Sequence, residues 1–429
     1  MKYRLGDICT ITKGETGIMK AIDGAYTMVT LGEANKTHNA YQFDTKAVII
    51  PLVSSTGHGH ASMKRVKYQE GKFALGSILC AVIPKDENFV LAKYLHIYLH
   101  WNREELLVSQ MKGMANVSLP MNKIADVIVT VPSLEKQKEI VELEKKLVEK
   151  ELEADKLYTH QLTLIENLNQ AILQEAVQGK LVPQDPTDEP ASQLLERIKA
   201  EKAKTGKKEK PLPPIKPEEI PFEIPDNWVW CRLGEIINFI SGNNFESTDF
   251  FKGNGVKCIK ITNAGVGQII ETDDVLPFEF LEKYSQFIVN EGDLILALTR
   301  PYISTGLKIS ICPPSYHQSL LNQRVAVIRP ISGVISSFLF QFLSSSIVLK
   351  IYQDKFDGQG QQPNLKKEDV TNLFFPLPPL SEQQRIVAEI EKQLSKTKEL
   401  KAHIIANQQA TEQLLKALLH GAFEVEENV

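Results

Sequence analysis

The chain has 429 residues, 49 Lys and Arg against 53 Asp and Glu for a net charge of −4, and 43% hydrophobic residues. That length is enough for more than one core. The composition is that of an ordinary globular protein, which excludes disordered, collagen-like and disulfide-scaffold classes, and no apolar run approaches the ~20 residues of a membrane-spanning helix.

The opening Met1-Lys2-Tyr3-Arg4 leads straight into fold-like sequence with no signal peptide. Cys9, Cys80, Cys231, Cys258 and Cys312 are odd in number and scattered, so they read as buried thiols of a reducing cytoplasm. Residues 1–132 carry 15 basic and 11 acidic side chains, whereas residues 225–377 carry 13 and 15. Charge alone does not make this a nucleic-acid binder.

Residues 1–132 read as a compact mixed domain. Leu5-Gly6-Asp7-Ile8 opens a short strand or turn. Tyr26–Leu31, Ala47–Val53 and Ser77–Ile83 are short, β-branched and bounded by turn residues, as strands are. Ser54–His60 is a polar glycine-rich loop. Leu91–Arg103 has helical periodicity, and Gly113–Leu119 is a loop before the strand Val127–Val131.

Residues 133–179 form a long charged helix. Ile140, Leu143, Leu147, Ala154, Leu157, Leu164, Leu168 and Ala171 make a three-four ladder with polar interruptions, the pattern of a coiled-coil seam. Residues 180–224 are a turn-rich, Pro- and Lys-rich linker in which Ala191–Lys204 can form a short helix. Its run Lys207-Lys208-Glu209-Lys210 reads as solvated linker.

Residues 225–377 repeat the plan of the first domain. Arg232-Leu-Gly-Glu-Ile236 matches Arg4-Leu-Gly-Asp-Ile8, Gly292–Ala297 takes the place of Lys46–Pro51, and Gln359–Asn364 that of Gly113–Ser118. Residues 378–429 repeat the long helix and end in a tail. Gln137 and Gln383, and Ile140 and Ile386, are each 246 positions apart, while Gly179 and Gly421 are 242 apart. The second copy is therefore four residues shorter between matched ends, close to one helical turn. Its seam is Ile386, Ile390, Leu400, Ile404, Leu414 and Leu418. Ser381 with Gln384 fits a capping box, and Gly179 and Gly421 fit helix-closing residues. Such a helix cannot bury its seam alone, and its simplest partner is the other copy, running antiparallel. The fold class expected is α+β: two mixed α/β domains joined by two long antiparallel coiled-coil helices, with an internal pseudo-twofold repeat.

The domain–helix–domain–helix order, the Leu-Gly-(Asp/Glu)-Ile openings at 5–8 and 233–236, Gln361-Gln-Pro-Asn-Leu365 and Pro376-Leu-Pro-Pro-Leu-Ser-Glu-Gln-Gln384 resemble the specificity subunit of Type I restriction-modification enzymes across essentially the whole chain. The first copy departs from the pattern, with Lys136 in place of Glu382 and Val117-Ser118-Leu119 in place of Pro363-Asn364-Leu365. The resemblance implies that each domain is a target recognition domain for one half of a bipartite double-stranded DNA site. It also implies that the helices hold two methyltransferase subunits, with restriction and motor subunits added, and that S-adenosylmethionine, ATP and Mg belong to those partners. No cofactor and no catalysis fall to this chain, which is expected in the cytoplasm and not on a membrane. The residues agree: no phosphate loop, methyltransferase tetrapeptide or His-Glu-x-x-His is present. His58 and His60 lack the nearby carboxylate or Cys cluster of a metal site. A Type IIB-like assembly or a coiled-coil scaffold for two protein partners are the alternatives.

Base edges are read by Arg and Lys at guanine and by Asn and Gln at adenine, with Ser and Thr helping either, and phosphates are held mostly by Lys and Arg. The candidates are therefore polar loop residues. In the first domain these are Asn35, Lys36, Ser55, Thr56, His58, His60, Lys64, Arg65 and Asn116. In the second they are Lys260, Thr262, Asn263, Arg300, Gln318, Asn322, Gln323, Arg324, Gln361 and Gln362.

Overall fold

Continuous apolar runs such as Ala47-Val-Ile-Ile-Pro51 fold as strands covered on both faces, because successive side chains of a strand point to opposite sides. A computed structural model describes residues 1–55, 60–113, 117–204, 212–357 and 362–424. The chain divides into two units, Met1–His160 with His403–Val429, and Gln161–Ala402.

In the first unit an antiparallel sheet runs in the order Cys9–Lys13, Leu79–Pro84, Ala47–Pro51, Lys67–Gln69. Val48, Ile50, Cys80 and Val82 face one core, which includes Tyr94, Leu95 and Leu99 of the helix Ala92–Trp101. Ala47, Ile49, Leu79 and Ala81 face the other. That second core is shared with a sheet ordered Lys36–His38, Tyr26–Val29, Lys72–Leu75, Phe43–Asp44, whose central pair is parallel.

The second unit has the same frame. Its first sheet runs Ile237–Ser241, Val325–Pro330, Leu294–Ala297, Ile309–Ile311. Leu294, Leu296 and Ile328 face the helix Ser336–Leu343, and Ile295, Ala297 and Val327 face the second sheet. The second sheet again has a parallel pair at its centre, Val256–Ile259 with Ser319–Leu321, plus one added edge strand, Phe251–Lys252. The glycine that follows the first strand is required in both units. A Cβ on Gly14 would lie 2.3 Å from Gly76 O, and one on Gly242 would lie 1.8 Å from Asn322 O.

Several elements differ from the sequence expectation. Leu5–Ile8, expected as a short strand or turn, and its match Leu233–Ile236 are single turns of helix set between paired strands on either side. Within the linker the expected short helix Ala191–Lys204 forms, and it is packed within the second unit. Ala191, Leu194, Leu195 and Ile198 of the helix Ala191–Lys204 are buried in the second core. Gln184 Nε2 donates to Glu382 Oε1 at 2.6 Å and Arg385 Nη2 to Asp188 Oδ2 at 2.6 Å. The Arg232 guanidinium holds the proline stretch through Pro213 O (3.0 Å) and Pro214 O (3.3 Å). The basic run 207–210 lies outside the described residues.

The long helices are Leu134–Val177, 44 residues, and Leu380–Glu424, 45 residues. They are of nearly equal length because the second continues through Gly421, which is helical. Only Gly179 adopts the left-handed closing conformation, at φ +71°. Ser381 is likewise inside its helix, and its hydroxyl donates to Asp188 instead of capping. The apolar ladder is displaced in part. Of the expected seam Ile140, Ile386, Ile390 and Ile404 are buried, but Leu157, Leu164, Leu168, Leu400, Leu414 and Leu418 are exposed, and Ile165, Ile172, Thr397, Leu415 and Leu419 are buried in their stead. Polar pairs choose the buried faces. In the second unit Thr397 Oγ1 donates to Asn169 Oδ1 at 2.7 Å. In the first, Tyr158 OH and Thr411 Oγ1 share a hydrogen bond at 2.9 Å.

Each helix starts on a fully buried glutamine. Gln137 Oε1 accepts from Leu91 N (2.8 Å), and its Nε2 donates to Phe89 O and Pro132 O, both at 3.0 Å. Gln383 Oε1 accepts from Ile335 N (2.9 Å), and its Nε2 donates to Gly333 O (3.2 Å) and Pro378 O (3.1 Å). Replacing either amide by a methyl-bearing isostere strands buried backbone groups, each worth ~1–3 kcal/mol. Gln137→Leu and Gln383→Leu are each expected to lower unfolding free energy in urea by at least ~2 kcal/mol, while the exposed Gln384→Leu stays within ~0.5 kcal/mol of wild type.

Candidate nucleic-acid interface

Three loop segments of the second unit are laced together by backbone hydrogen bonds at the ends of the central strands. Leu298 N donates to Arg324 O (2.8 Å), Leu365 N to Leu298 O (2.7 Å) and Arg300 N to Pro363 O (2.9 Å). Thr299 Oγ1 donates to Asn364 Oδ1 at 3.0 Å. Beside this lacing lies a cleft of about 630 Å³. Its walls bring together Thr262, Arg300, Arg324 and Gln362 from the candidate set, and add Gln268 and Lys308. Among the described residues, three cations and no carboxylate line it, in a region whose residues are net acidic. Cations gathered without counter-charge attract an anionic partner.

Backbone geometry singles out the same loops. Among the described residues, three that are not glycine have positive φ: Arg300 (48°), Gln318 (59°) and Arg324 (67°). All three belong to the candidate set. A side-chain-bearing residue in this region costs on the order of 1 kcal/mol or more, and such residues cluster where function holds them. Arg300 Nη2 donates to Gln362 Oε1 at 3.4 Å, while the Arg324 guanidinium has no partner among the described residues.

Other candidates are occupied differently. Asn263 is fully buried: its Oδ1 accepts from Lys260 N (2.9 Å) and its Nδ2 donates to Ile270 O (2.7 Å). It braces the 260–272 loop, so burial removes it from the side chains able to touch a base. Lys260 is paired with Asp274, whose carboxyl this bond holds below its usual range, and lies over the Phe250 ring. Asn322 Oδ1 accepts from Phe245 N and Gln323 N, which fixes that turn, and Gln323 is exposed. Gln318 Nε2 donates to Asn290 Oδ1, away from the cleft walls. Gln361 lies outside the described residues.

The first unit repeats the lacing at positions 246 earlier. Leu52 N donates to Ile78 O (2.9 Å), Leu119 N to Leu52 O (2.9 Å) and Ser54 N to Val117 O (3.0 Å). Around it, Lys67 Nζ donates to Gly32 O (2.6 Å) and Asn35 Oδ1 (2.9 Å), and Arg65 pairs with Glu33 at 3.4 Å. Burial and the nearby Arg65 push the Lys67 amine down. Lys36 and Lys64 are exposed. Ser55 Oγ accepts from Lys64 N, and the exposed His60 offers its carbonyl to Ser54 Oγ, so both shape the loop. Thr56, His58 and Asn116 lie outside the described residues.

Sequence reasoning missed Lys67, Gln268 and Lys308. Lys67 continues the basic run of Lys64 and Arg65, and Gln268 follows the turn glycines Gly265 and Gly267, signals that loop chemistry offers. Among the described residues no cluster of three or more His, Cys, Asp and Glu is placed to hold a metal, and no helix is long and apolar enough to cross a membrane. All five cysteines are buried free thiols, and burial pushes Cys9 up to about 12.

A family model described as the Type I restriction modification DNA specificity domain matches residues 1–159 and 225–408. The chain is 40% identical over 275 residues to the Type I restriction enzyme EcoAI specificity subunit of Escherichia coli, an alignment covering 62% of this chain and 46% of that protein. It thus spans about half the length of the curated relatives it matches first. In fold it is similar to the crystal structure of an HsdS subunit from Thermoanaerobacter tengcongensis, with TM-score 0.54 and 16% identity over 99% of this chain and 97% of that one. It is also similar to a chain from a study of complex assembly and conformational transition of the type I R-M system, with TM-score 0.61 and 18% identity over 99% and 98%.

The segment carrying Lys64, Arg65 and Lys67 is clamped from behind by two half-buried imidazoles. His100 Nδ1 accepts from Val66 N (3.2 Å), and a His96 ring nitrogen bonds Val66 O (3.0 Å). Burial, helped by the Lys93 charge, pushes His96 down to about 3; burial with the Arg103 charge pushes His100 down to about 4. Both are neutral in the fold, while the unfolded chain takes up their protons below the ordinary value of 6.5. Their contribution is whole above pH 6.5 and is lost as pH falls through about 4 and about 3. Thermal unfolding from pH 7 to 4 should show a falling midpoint, and a His96→Gln, His100→Gln variant should start lower but fall less steeply. Parallel curves would assign the acid sensitivity elsewhere.

Proposed function

The chain belongs to the Type I restriction-modification DNA specificity family, and from that premise we propose that it is the non-catalytic DNA-reading subunit of a restriction-modification complex. Residues 1–132 and 225–377 each read one half of a bipartite double-stranded site. Residues 133–179 and 378–429 form an antiparallel coiled coil that sets the distance between halves, and residues 180–224 tie the first helix to the second domain. The observation that carries this reading is the cleft lined by Arg300, Arg324 and Lys308 without a carboxylate among the described residues. Cationic, backbone-fixed side chains beside exposed amides and hydroxyls are what reading a base edge next to phosphates requires.

The opposed order of the contacts Asn169–Thr397 and Glu166–Lys401 supports antiparallel helices. The shared strand order and shared loop lacing support an internal repeat. Leu164, Leu168 and Leu400 in one unit, and Leu157, Leu414 and Leu418 in the other, leave large apolar side chains in solvent. These are docking surfaces for two methyltransferase subunits, to which restriction subunits add. S-adenosylmethionine, ATP and Mg belong to those partners. With cleft cations too few to hold a duplex alone, the assembled complex is the DNA-binding species, and its affinity falls steeply with salt.

Exchange of residues 225–377 for the matching region of another family member tests this division of labour. In cells supplying the cognate methyltransferase, the methylated motif is expected to change in one half only, with the other half and the spacer retained. A motif changed in both halves, or in neither, would refute one domain per half-site.

A further inference from the structure

The matched lacing of the two units allows the reading surfaces to be compared position by position. Leu52 and Leu298 occupy the same place, as do Leu119 and Leu365, each pair 246 residues apart and each making the same backbone bonds. Two further positions in this lattice carry chemistry in one unit and not in the other. Where the second unit has Arg300, donating its N–H to Pro363, the first has Ser54, donating to Val117. Where the second has Arg324, accepting from Leu298, the first has Ile78, accepting from Leu52. The second unit therefore presents two guanidinium groups from a frame on which the first presents a hydroxyl and an aliphatic chain.

We propose that Arg300 and Arg324 are specificity-determining residues that read guanine in the half-site of the second domain, and that the first domain makes no guanidinium readout at the same two positions. The proposal rests on the DNA-reading function above and assigns the base chemistry of one half.

Four observations carry it. Both arginines line one cleft, and their backbones are tied by the same strand-end lattice, Arg300 to Pro363 and Arg324 to Leu298. Guanine offers two acceptors, O6 and N7, on its major-groove edge, and an arginine fork held at fixed orientation meets both. Gln362, accepting from Arg300 Nη2, supplies that orientation. Among the described residues the cleft lacks the Asp or Glu that would accept from the cytosine amino group, and the Gln362 carbonyl oxygen is already engaged by Arg300, which leaves the guanidinium groups as its strongest base-reading element. Both residues also hold positive φ, a conformation glycine would take without strain, so these turns keep arginine at a cost.

The competing use of an arginine is to hold a phosphate, and lysine separates the two. Lysine keeps the charge a phosphate contact needs and, although it too can bond a guanine, loses the rigid planar fork that meets both acceptors at a fixed orientation. The test is methylation of a library of randomised half-sites by the complex assembled with its cognate methyltransferase, for the wild-type chain and for Arg300→Lys and Arg324→Lys. The wild-type complex is expected to require a G·C pair at one or more positions of one half. Each lysine variant is expected to relax that requirement on the order of tenfold or more, at one position, with the other half untouched and assembly retained. Lysine variants with unchanged stringency at every position, or a wild-type motif with no G·C requirement in that half, would overturn the guanine assignment and leave the function standing. An assembled wild-type complex with no sequence preference would instead overturn the function itself.

Discussion

Two buried amides tie each long helix to the domain it leaves. Gln137 and Gln383 each close three hydrogen bonds with backbone groups of the domain just completed, at the point where the chain leaves it as a long helix. A buried polar side chain that satisfies buried backbone is a high-stakes contact, costly to lose and intolerant of tilt. Each helix therefore departs from its domain at a set angle. Its far end is equally committed: Ile172, Leu173, Ala176 and Val177 enter the core of the second unit, and Phe423 packs edge-on to Tyr98 in the first.

The same economy governs the domains. Both build a four-stranded sheet in one order, cover it on both faces, and tie three strand-end loops together with the same backbone bonds. Because the lattice uses only main-chain groups, side chains at its nodes are free to differ, and they do: Ser54 against Arg300, Ile78 against Arg324. A frame of this kind lets recognition change without disturbing the core, since strand-to-loop bonds do not depend on which residue is presented.

Much of this was legible in the sequence, and the misses have physical causes. The strands and both long helices follow from short β-branched runs and from unbroken helical periodicity. The helix seam was misplaced in part because Leu157, Leu164 and Leu168 make a more hydrophobic ladder than the face containing Tyr158 and Asn169. Polar pairs with Thr411 and Thr397, and the residues that must enter the cores, choose the buried side instead. The short helix Ala191–Lys204 was legible within the linker, but not its docking, which the four apolar residues Ala191, Leu194, Leu195 and Ile198 provide. Arg300 and Arg324 were visible as loop arginines. Their left-handed backbones, and their equivalence to Ser54 and Ile78, were not, since both are set by tertiary hydrogen bonds. Asn263 read as a surface amide because an amide that braces a loop and one that reads a base have the same one-letter signature.

The most direct test of the account is the methylated motif itself, read by single-molecule sequencing of DNA from cells that express this chain with its cognate methyltransferase. The account predicts a split motif, with a modified adenine in each half and a spacer of fixed length. A continuous motif, or an assembled complex that leaves no motif, would contradict it.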